Sequence, residues 1–401
     1  MSKDSMYIGM DVHQKTIDVT VAEEGRDGKV WRFGTIGGDL KAGDRMLEKL
    51  LGYKRALHFV YEAGPCGFVL QRHLKGRGQD CAVVSPTAVP KKSSDRVKTD
   101  RRDADKLATS HRSGQLRAIH VPEPQDEAMR DLVRAREDAV EARRRERQHL
   151  NSFCLRHGRS YTKQKWTAVH RRWLSDQIFE LAAERVTFEE YIAAIAECEH
   201  RVERLTAQID ALLPAWHFRR EVEALQSLRG VSKIVAVTLM AELGDVTRFK
   251  PAQLMAFVGM IPGEHSSGEK RRQGQITKCG NAHVRRVLCE AGWAYDNPPT
   301  ISRHLLKRQE HLSPEVRAVA WKAQVRLCGR FHHLSRLRKH RNKINTAIAR
   351  ELLGFVWQIA VTVSGAGAQV EKQEKEVYRL RRPARPKAPG RRRERVAAPG
   401  A

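Results

Sequence analysis

The chain has 401 residues, more than one hydrophobic core commonly organises, so two or three folding units are expected. It is 41% hydrophobic and 30% charged with a net charge of +27. That excess implies a polyanionic partner, because Lys and Arg bound to phosphates release condensed counterions. No apolar run approaches the roughly 20 residues of a membrane span, and "MSKDSMYIGMDVH" carries no secretory pattern, so neither a membrane nor a secreted protein is expected. The seven cysteines (66, 81, 154, 198, 279, 289 and 328) contain no C-x-x-C pair, which predicts free thiols in a reducing cytoplasm and no structural zinc, and the basic charge makes a nucleoid-associated location the expectation there.

The N-terminal "MYIGMDVHQKTIDVTVAEEG" places apolar residues at Ile8, Met10 and Val12 and again at Ile17, Val19 and Val21. This is the period of two strands with "HQK" as the turn. "ALHFVYEAG" and "DCAVVSP" predict two further strands, and their alternation with helix-like segments indicates an α/β layered domain. Asp11 falls inside the first strand and Glu62 ends the third. A carboxylate buried alone there costs several kcal/mol, so each is paired, metal-bound or, more blandly, turned to solvent. In "VKTDRRDADKLATSHRSG" a helix would place Asp100 and Asp103 on one face at i,i+3, with Asp105 turned away into solvent or a salt bridge. A solvated helix face explains that stretch alone. Taken together, the four acids suit Mg²⁺, which prefers oxygen donors, and the adjacent Arg96, Lys98, Arg101 and Arg102 suit the phosphates such an ion would act on.

From residue 124 the texture changes to long polar helices. The first carries Leu132, Ala135, Ala139 and Ala142 on one side and stops at a glycine. Its Arg143, Arg144, Arg145 and Arg147, with "YTKQKWTAVHRRW", pair charge with Trp166 and Trp173, as nucleic-acid-stacking surfaces do and as ordinary helical cores also do. Phe188, Tyr191, Ile195, Cys198, Val202, Leu205, Ile209 and Leu212 then recur at 3-4 spacing up to Pro214. That is a coiled-coil seam whose partner is another helix of the chain or another subunit.

"LQSLRGVSKIVAVTL" suggests a helix-hairpin-helix, although Ser232 stands where a second small glycine is usual. In "GEHSSGEKRRQGQITKCGNAHVRR", Ser266 and Ser267 precede Gly268 and a basic run, Lys270, Arg271 and Arg272. On composition this is a flexible basic loop. Lys278, Arg285 and Arg286 are candidate phosphate contacts or a solvated basic face. A last helical block covers about 313 to 363, and the Pro- and Arg-rich tail from 366 has no core-forming residues, so it is expected to be disordered in isolation.

"IGMDVHQKTIDV", "YEAGPCGFVLQRHL" and "SDRVKTDRRDADKLA" resemble the RuvC-like domain of the DEDD transposases, insertion-sequence recombinases related to the Piv DNA invertase. The resemblance continues through "LRGVSKIVAVTLMAELGDVTRF" and "GMIPGEHSSGEKRRQGQITKCGNAHVRRVL" to "AIARELLGFVWQIA", nearly the whole chain except the tail. It implies an α/β RuvC-like (RNase H-like) catalytic domain over 1–123, a helical, coiled-coil region over 124–220, a helix-hairpin-helix-like transposase domain over 221–365 and a basic tail over 366–401. The family's acid quartet falls on Asp11, Glu62, Asp100 and Asp103, holding Mg²⁺. Its second domain brings a serine nucleophile, here Ser267 with Ser266 as the fallback. Donor and target DNA, a structured bridge RNA and a homo-oligomer (a dimer, or a tetramer in the synaptic complex) are the implied partners. Two other readings share the basic composition: a metal-dependent nuclease or Holliday-junction resolvase that uses water, and a nucleic-acid-binding protein without catalysis.

Overall fold

The alternation at the start of the chain forms two antiparallel strands, β1 (Ser5–Val12) and β2 (Thr16–Glu23). The turn between them closes where the His13 N–H donates to the Thr16 carbonyl at 2.9 Å. This computed structural model describes residues 5–87, 89–90, 99–267 and 272–365, so Arg96, Lys98, Lys270, Arg271 and the tail from 366 lie outside the described residues. The chain divides into two units, Met1–Glu123 and Pro124–Ala401.

In the first unit a strand that the sequence reading omits, β3 (Val30–Gly37), pairs with β2. Its register shifts at Val19/Thr20 and Gly34 takes φ 137°, so Trp31, Phe33 and Ile36 reach one core without a period of two. Helix α1 (Leu40–Leu51) follows, its N-terminus capped by the Asp39 carboxylate accepting from the Ala42 N–H at 2.9 Å. Then come β4 (Ala56–Glu62), α2 (Val69–Gly76) and β5 (Asp80–Val84). Because β3 intervenes, Glu62 ends the fourth strand rather than the third. The sheet order is β3-β2-β1-β4-β5, with β1, β4 and β5 parallel.

The sheet buries both faces. On one, Ile8, Met10, Phe59 and Tyr61 pack with Met46, Leu50, Leu70 and Leu74. On the other lies α3 (Asp100–Arg112), whose Leu107 joins Val60, Val84 and Val89. Gly9 is where α3 comes closest: a Cβ there would sit 2.3 Å from the Ala104 carbonyl oxygen and 2.4 Å from the Ala108 nitrogen. Helix backbone therefore rests directly on strand backbone.

In the second unit α4 (Pro124–Arg156) is followed by the short α5 (Ala168–Ser175) and the long α6 (Ala182–Leu212). Numbers fall on α6 as they rise on α4: Arg136 Nε donates to Thr206 Oγ1 at 2.7 Å, Arg147 pairs with Glu199, and Phe153 meets Phe188. The two helices are thus antiparallel. Phe188, Ile195, Val202 and Ile209 are buried, whereas Tyr191, Cys198 and Leu205 are half-buried and Leu212 is exposed. The every-seventh positions of the seam thus find their partner in α4 of the same chain. On α4 the buried set is Met129, Val133, Ala139, Leu150, Phe153 and Cys154 with Asp126, so the stripe is offset from the predicted one.

Helices α7 (Arg219–Leu225), α8 (Lys233–Leu243) and α9 (Pro251–Phe257) lead to a hairpin of β6 (Pro262–Glu264) and β7 (Gln273–Ile276). Helices α10 (Ala282–Gly292), α11 (Arg303–Gln309), α12 (Pro314–Arg336) and α13 (Arg341–Val363) complete the unit. By length and composition α13 is apolar enough to cross a membrane, a run the sequence reading passes over; it is a core helix, with Ile348, Leu352, Val356 and Ile359 fully buried. Burial of a charge in this core is satisfied at Glu242. Arg134 donates to its two oxygens at 2.7 and 2.9 Å, and Asn281 Nδ2 donates at 2.6 Å.

Two substitutions probe these contacts. Gly9→Ala forces α3 off the sheet and is expected to destabilise the first unit by about 2 kcal/mol, as overpacking does, measured by urea unfolding. Glu242→Ala removes the shielded carboxylate to which Arg134 and Asn281 both donate and is expected to lower the stability of the second unit by about 1–3 kcal/mol in the same unfolding measurement, with Glu242→Gln falling between it and the parent.

Candidate active site

Asp11 lies two residues beyond Gly9 on β1, so both point toward α3. The last parallel pair between β1 and β4 is Met10 with Tyr61, and the next residue on each strand is an acid, Asp11 and Glu62, each half-buried. On α3 the Thr99 hydroxyl caps the N-terminus by accepting from the Arg102 N–H at 3.4 Å, which makes Asp100 the first helical residue. From Ala108 and Ala104 over Gly9 the helix runs back to deliver Asp100 beside Asp11. Asp105 does turn away: it is half-buried and accepts from the Thr20 hydroxyl at 2.6 Å, with no ion pair among the described residues.

From the sequence His13 is expected only to form part of the "HQK" turn. Its Nε2 lies 3.4 Å from Asp11 Oδ2 and 3.8 Å from Asp100 Oδ1. Asp11, His13 and Asp100 each offer a donor atom, all within 4.8 Å of one another. The D-x-H spacing alone puts His13 close to Asp11 in the chain, just past the end of β1. Burial pushes the Asp11 carboxyl above the ordinary carboxylate range; His13 opposes that shift, and Asp100 and Asp103 add to it. Asp103 thus acts on Asp11 through space, and Glu62 stands at the adjoining strand end. Carboxylates gathered so that they repel one another fit a hard divalent cation. Arg101 and Arg102 are exposed on the same helical turn.

In the second unit Ser266 and Ser267 follow β6, both exposed. The Ser266 hydroxyl donates to Glu264 Oε1 at 2.9 Å. The base of this hairpin is fixed by two glycines in the left-handed region. A Cβ on Gly259 would meet the Cys279 carbonyl oxygen at 1.9 Å, and one on Gly280 the Phe257 carbonyl oxygen at 1.9 Å. Arg272 and Lys278 are exposed nearby in the chain.

The remaining basic candidates divide by what they touch. Arg285 donates to the carbonyls of Val258 at 2.9 Å and Gly280 at 3.1 Å, while Arg286 pairs with Glu137 at 2.6 Å and Glu290 at 2.8 Å. Arg147 lies over the Trp166 ring, 4.4 Å from its centre, and bonds Glu199. Arg144 pairs with Glu141, and Arg145 is exposed without an ion pair among the described residues. Trp166 and Trp173 are half-buried against Leu150, Phe153 and Phe188, and Trp173 stacks on the buried His170. Both indoles are thus engaged in a satellite core. At the start of α8 the Ser232 hydroxyl accepts from the Val235 N–H at 3.4 Å, a side-chain cap where a phosphate was considered.

Residues 8–157 match a family model of DEDD transposases of the IS110 type, described as "Transposase". Residues 222–304 match the model described as "Transposase IS116/IS110/IS902 family". "Putative transposase y4qE" of Sinorhizobium fredii is 42% identical over 356 residues, 88% of this chain and 88% of that protein. "Transposase for insertion sequence element IS1533" of Leptospira borgpetersenii is 30% identical over 345 residues, 84% of this chain and 99% of that one. The mixed sheet followed by a mostly helical remainder is consistent with an RNase H-like DEDD transposase. From these matches, the chain belongs to the IS110/IS116/IS902 family and is an insertion-sequence transposase acting on DNA.

Proposed function

We propose that this transposase cuts and rejoins DNA with a cation held by Asp11, Glu62, Asp100 and Asp103 and with Ser267 as nucleophile. The observation that carries the first half is the convergence of donor atoms from Asp11, His13 and Asp100 within 4.8 Å of one another, where burial opposes ionisation of the Asp11 carboxyl. Mg²⁺ suits that set, and when bound it would withdraw charge from the scissile phosphate and lower the barrier to attack. The acids themselves hold the ion, and Arg101 and Arg102 offer donors to flanking phosphates.

The second half rests on chemistry and on the family resemblance of the Ser-Gly motif. The Ser267 Oγ attacks phosphorus; an Oγ–P bond forms as one P–O bond to deoxyribose breaks, and the departing DNA oxygen ends as a hydroxyl with the serine proton. One phosphodiester replaces another, so a DNA hydroxyl can reverse the step without ATP. Attack by water would discard that bond. Serine needs activation before it attacks. Ser266, whose hydroxyl donates to Glu264 at 2.9 Å, has a carboxylate base within reach and is the alternative nucleophile; Ser267 is chosen on its place directly before Gly268 in the Ser-Gly motif.

We also propose that target choice is delegated to a structured bridge RNA, with the protein reading shape and backbone. Support comes from the charge of +27 and from the absence of a DNA-reading motif in the sequence. Bringing two DNA segments together calls for more than one copy of the chain. Because α4 already covers the buried positions of the α6 seam, that assembly would use another surface.

The test is a trapping experiment on labelled DNA carrying an element end. The parent protein is expected to yield a denaturant-resistant adduct through phosphoserine. Ser267→Ala should abolish it, Ser266→Ala should retain it, and Asp11→Ala should slow its formation by about a thousandfold or more. Free 5′-phosphate ends with no adduct from the parent protein would establish water as the nucleophile and end the serine reading.

A further inference from the structure

We propose that His13 is a donor of the same metal site, so that the site is a mixed nitrogen–oxygen one that takes first-row ions such as Co²⁺ more tightly than its acids alone would. This rests on the reading of the acids as cation-holding residues.

The imidazole is built into position by the fold. The β1–β2 turn holds its backbone, with the His13 N–H on the Thr16 carbonyl at 2.9 Å and the Gly38 N–H on the Lys15 carbonyl at 2.9 Å. Gly38 presses so closely on the turn that a Cβ there would lie 2.4 Å from the Gln14 carbonyl oxygen. A side chain larger than hydrogen at 38 would displace the turn that carries His13. The ring itself is about half exposed, at 54%, and approaches the acids from the solvent side. It can therefore complete a coordination shell without a desolvation penalty of the kind a buried polar group meets.

The separations suit shared ligation. Donors adjacent in a shell of roughly 2.0–2.1 Å radius lie about 3 Å apart. Nε2 is 3.4 Å from Asp11 Oδ2 and 3.8 Å from Asp100 Oδ1, so a small inward movement of an exposed ring would bring all three onto one ion. Nitrogen changes what that ion can be. Carboxylates alone favour Mg²⁺, Ca²⁺ and Mn²⁺, whereas imidazole raises affinity along the first-row series toward Co²⁺ and Ni²⁺.

The experiment uses the full chain, stripped of metal, without DNA. Co²⁺ is titrated and followed by its visible absorption, and Mg²⁺ affinity is read by competition; circular dichroism and melting confirm that each variant is folded. In His13→Ala the Co²⁺ affinity is expected to fall about tenfold or more, the absorption bands to shift as a nitrogen donor is lost, and Mg²⁺ affinity to change far less. Asp11→Asn should lose both ions. If His13→Ala keeps the parent's Co²⁺ affinity and spectrum while Asp11→Asn loses binding, His13 is no ligand and the acid site stands. If Asp11→Asn binds Co²⁺ as the parent does, the acid site itself is refuted, and the role of His13 with it.

Discussion

Everything at the acid cluster depends on one close approach, the backbone of α3 lying on the backbone of β1 at Gly9. A strand residue with any side chain would hold the helix off, and the helix is the element that carries Asp100 and Asp103. The carboxylate two residues along β1 then meets the first residue of the helix. The Thr99 cap fixes where that helix begins, and Thr20 holds Asp105 on the far side, so the helix is also fixed in rotation. Several ordinary interactions, none of them catalytic, thus decide which of three closely spaced aspartates can act together.

The second unit solves a different problem. On the proposed mechanism it carries an exposed serine on a hairpin whose base must not drift. The glycine pair at 259 and 280 lets the two ends of that segment touch backbone to backbone, and Arg285 binds the carbonyls of both Val258 and Gly280. Further in, the fully shielded Glu242 ties α4, α8 and the cap of α10 through Arg134 and Asn281. Some of the arginines are engaged within the fold in this way, although pairing with glutamates leaves the net excess of +27 unchanged. Arg134, Arg147, Arg285 and Arg286 are structural cations, which leaves Arg145, Arg272 and Lys278 as better candidates for meeting phosphate.

How legible this was in the sequence follows from how local each signal is. The first two strands and the acids Asp11, Asp100 and Asp103 could be read directly, because a period of two and an i,i+3 pair are properties of a short stretch. Strand β3 could not, since its bulge and Gly34 destroy the alternation that marks a strand. His13 was hidden by its own turn: "HQK" reads as a connection, and nothing in a linear string says that the connection folds back toward Asp100, which lies 87 positions later. The tryptophans left two readings open, a stacking surface or a helical core. Aromatic residues among arginines look like a stacking surface, but whether a ring face is free depends on α6 arriving from elsewhere in the chain to cover it.

The acid cluster also shows why such a site resists being a mere by-product of folding. Helices gain from acids in the first turn, which interact favourably with the N-terminal dipole, and that alone would explain Asp100 and Asp103. It does not explain Asp11. Placing a half-buried carboxyl at the strand end opposite two helix-borne acids works against its ionisation, as the upward push on Asp11 records. A chain selected only for stability would remove that charge, for example with an asparagine of the same size. Retaining it makes sense when something positive arrives to offset the repulsion, and a divalent cation brought to a DNA phosphate is the simplest such visitor. On the proposed mechanism the serine belongs to the other unit, so acids without serine, or serine without acids, would leave DNA intact.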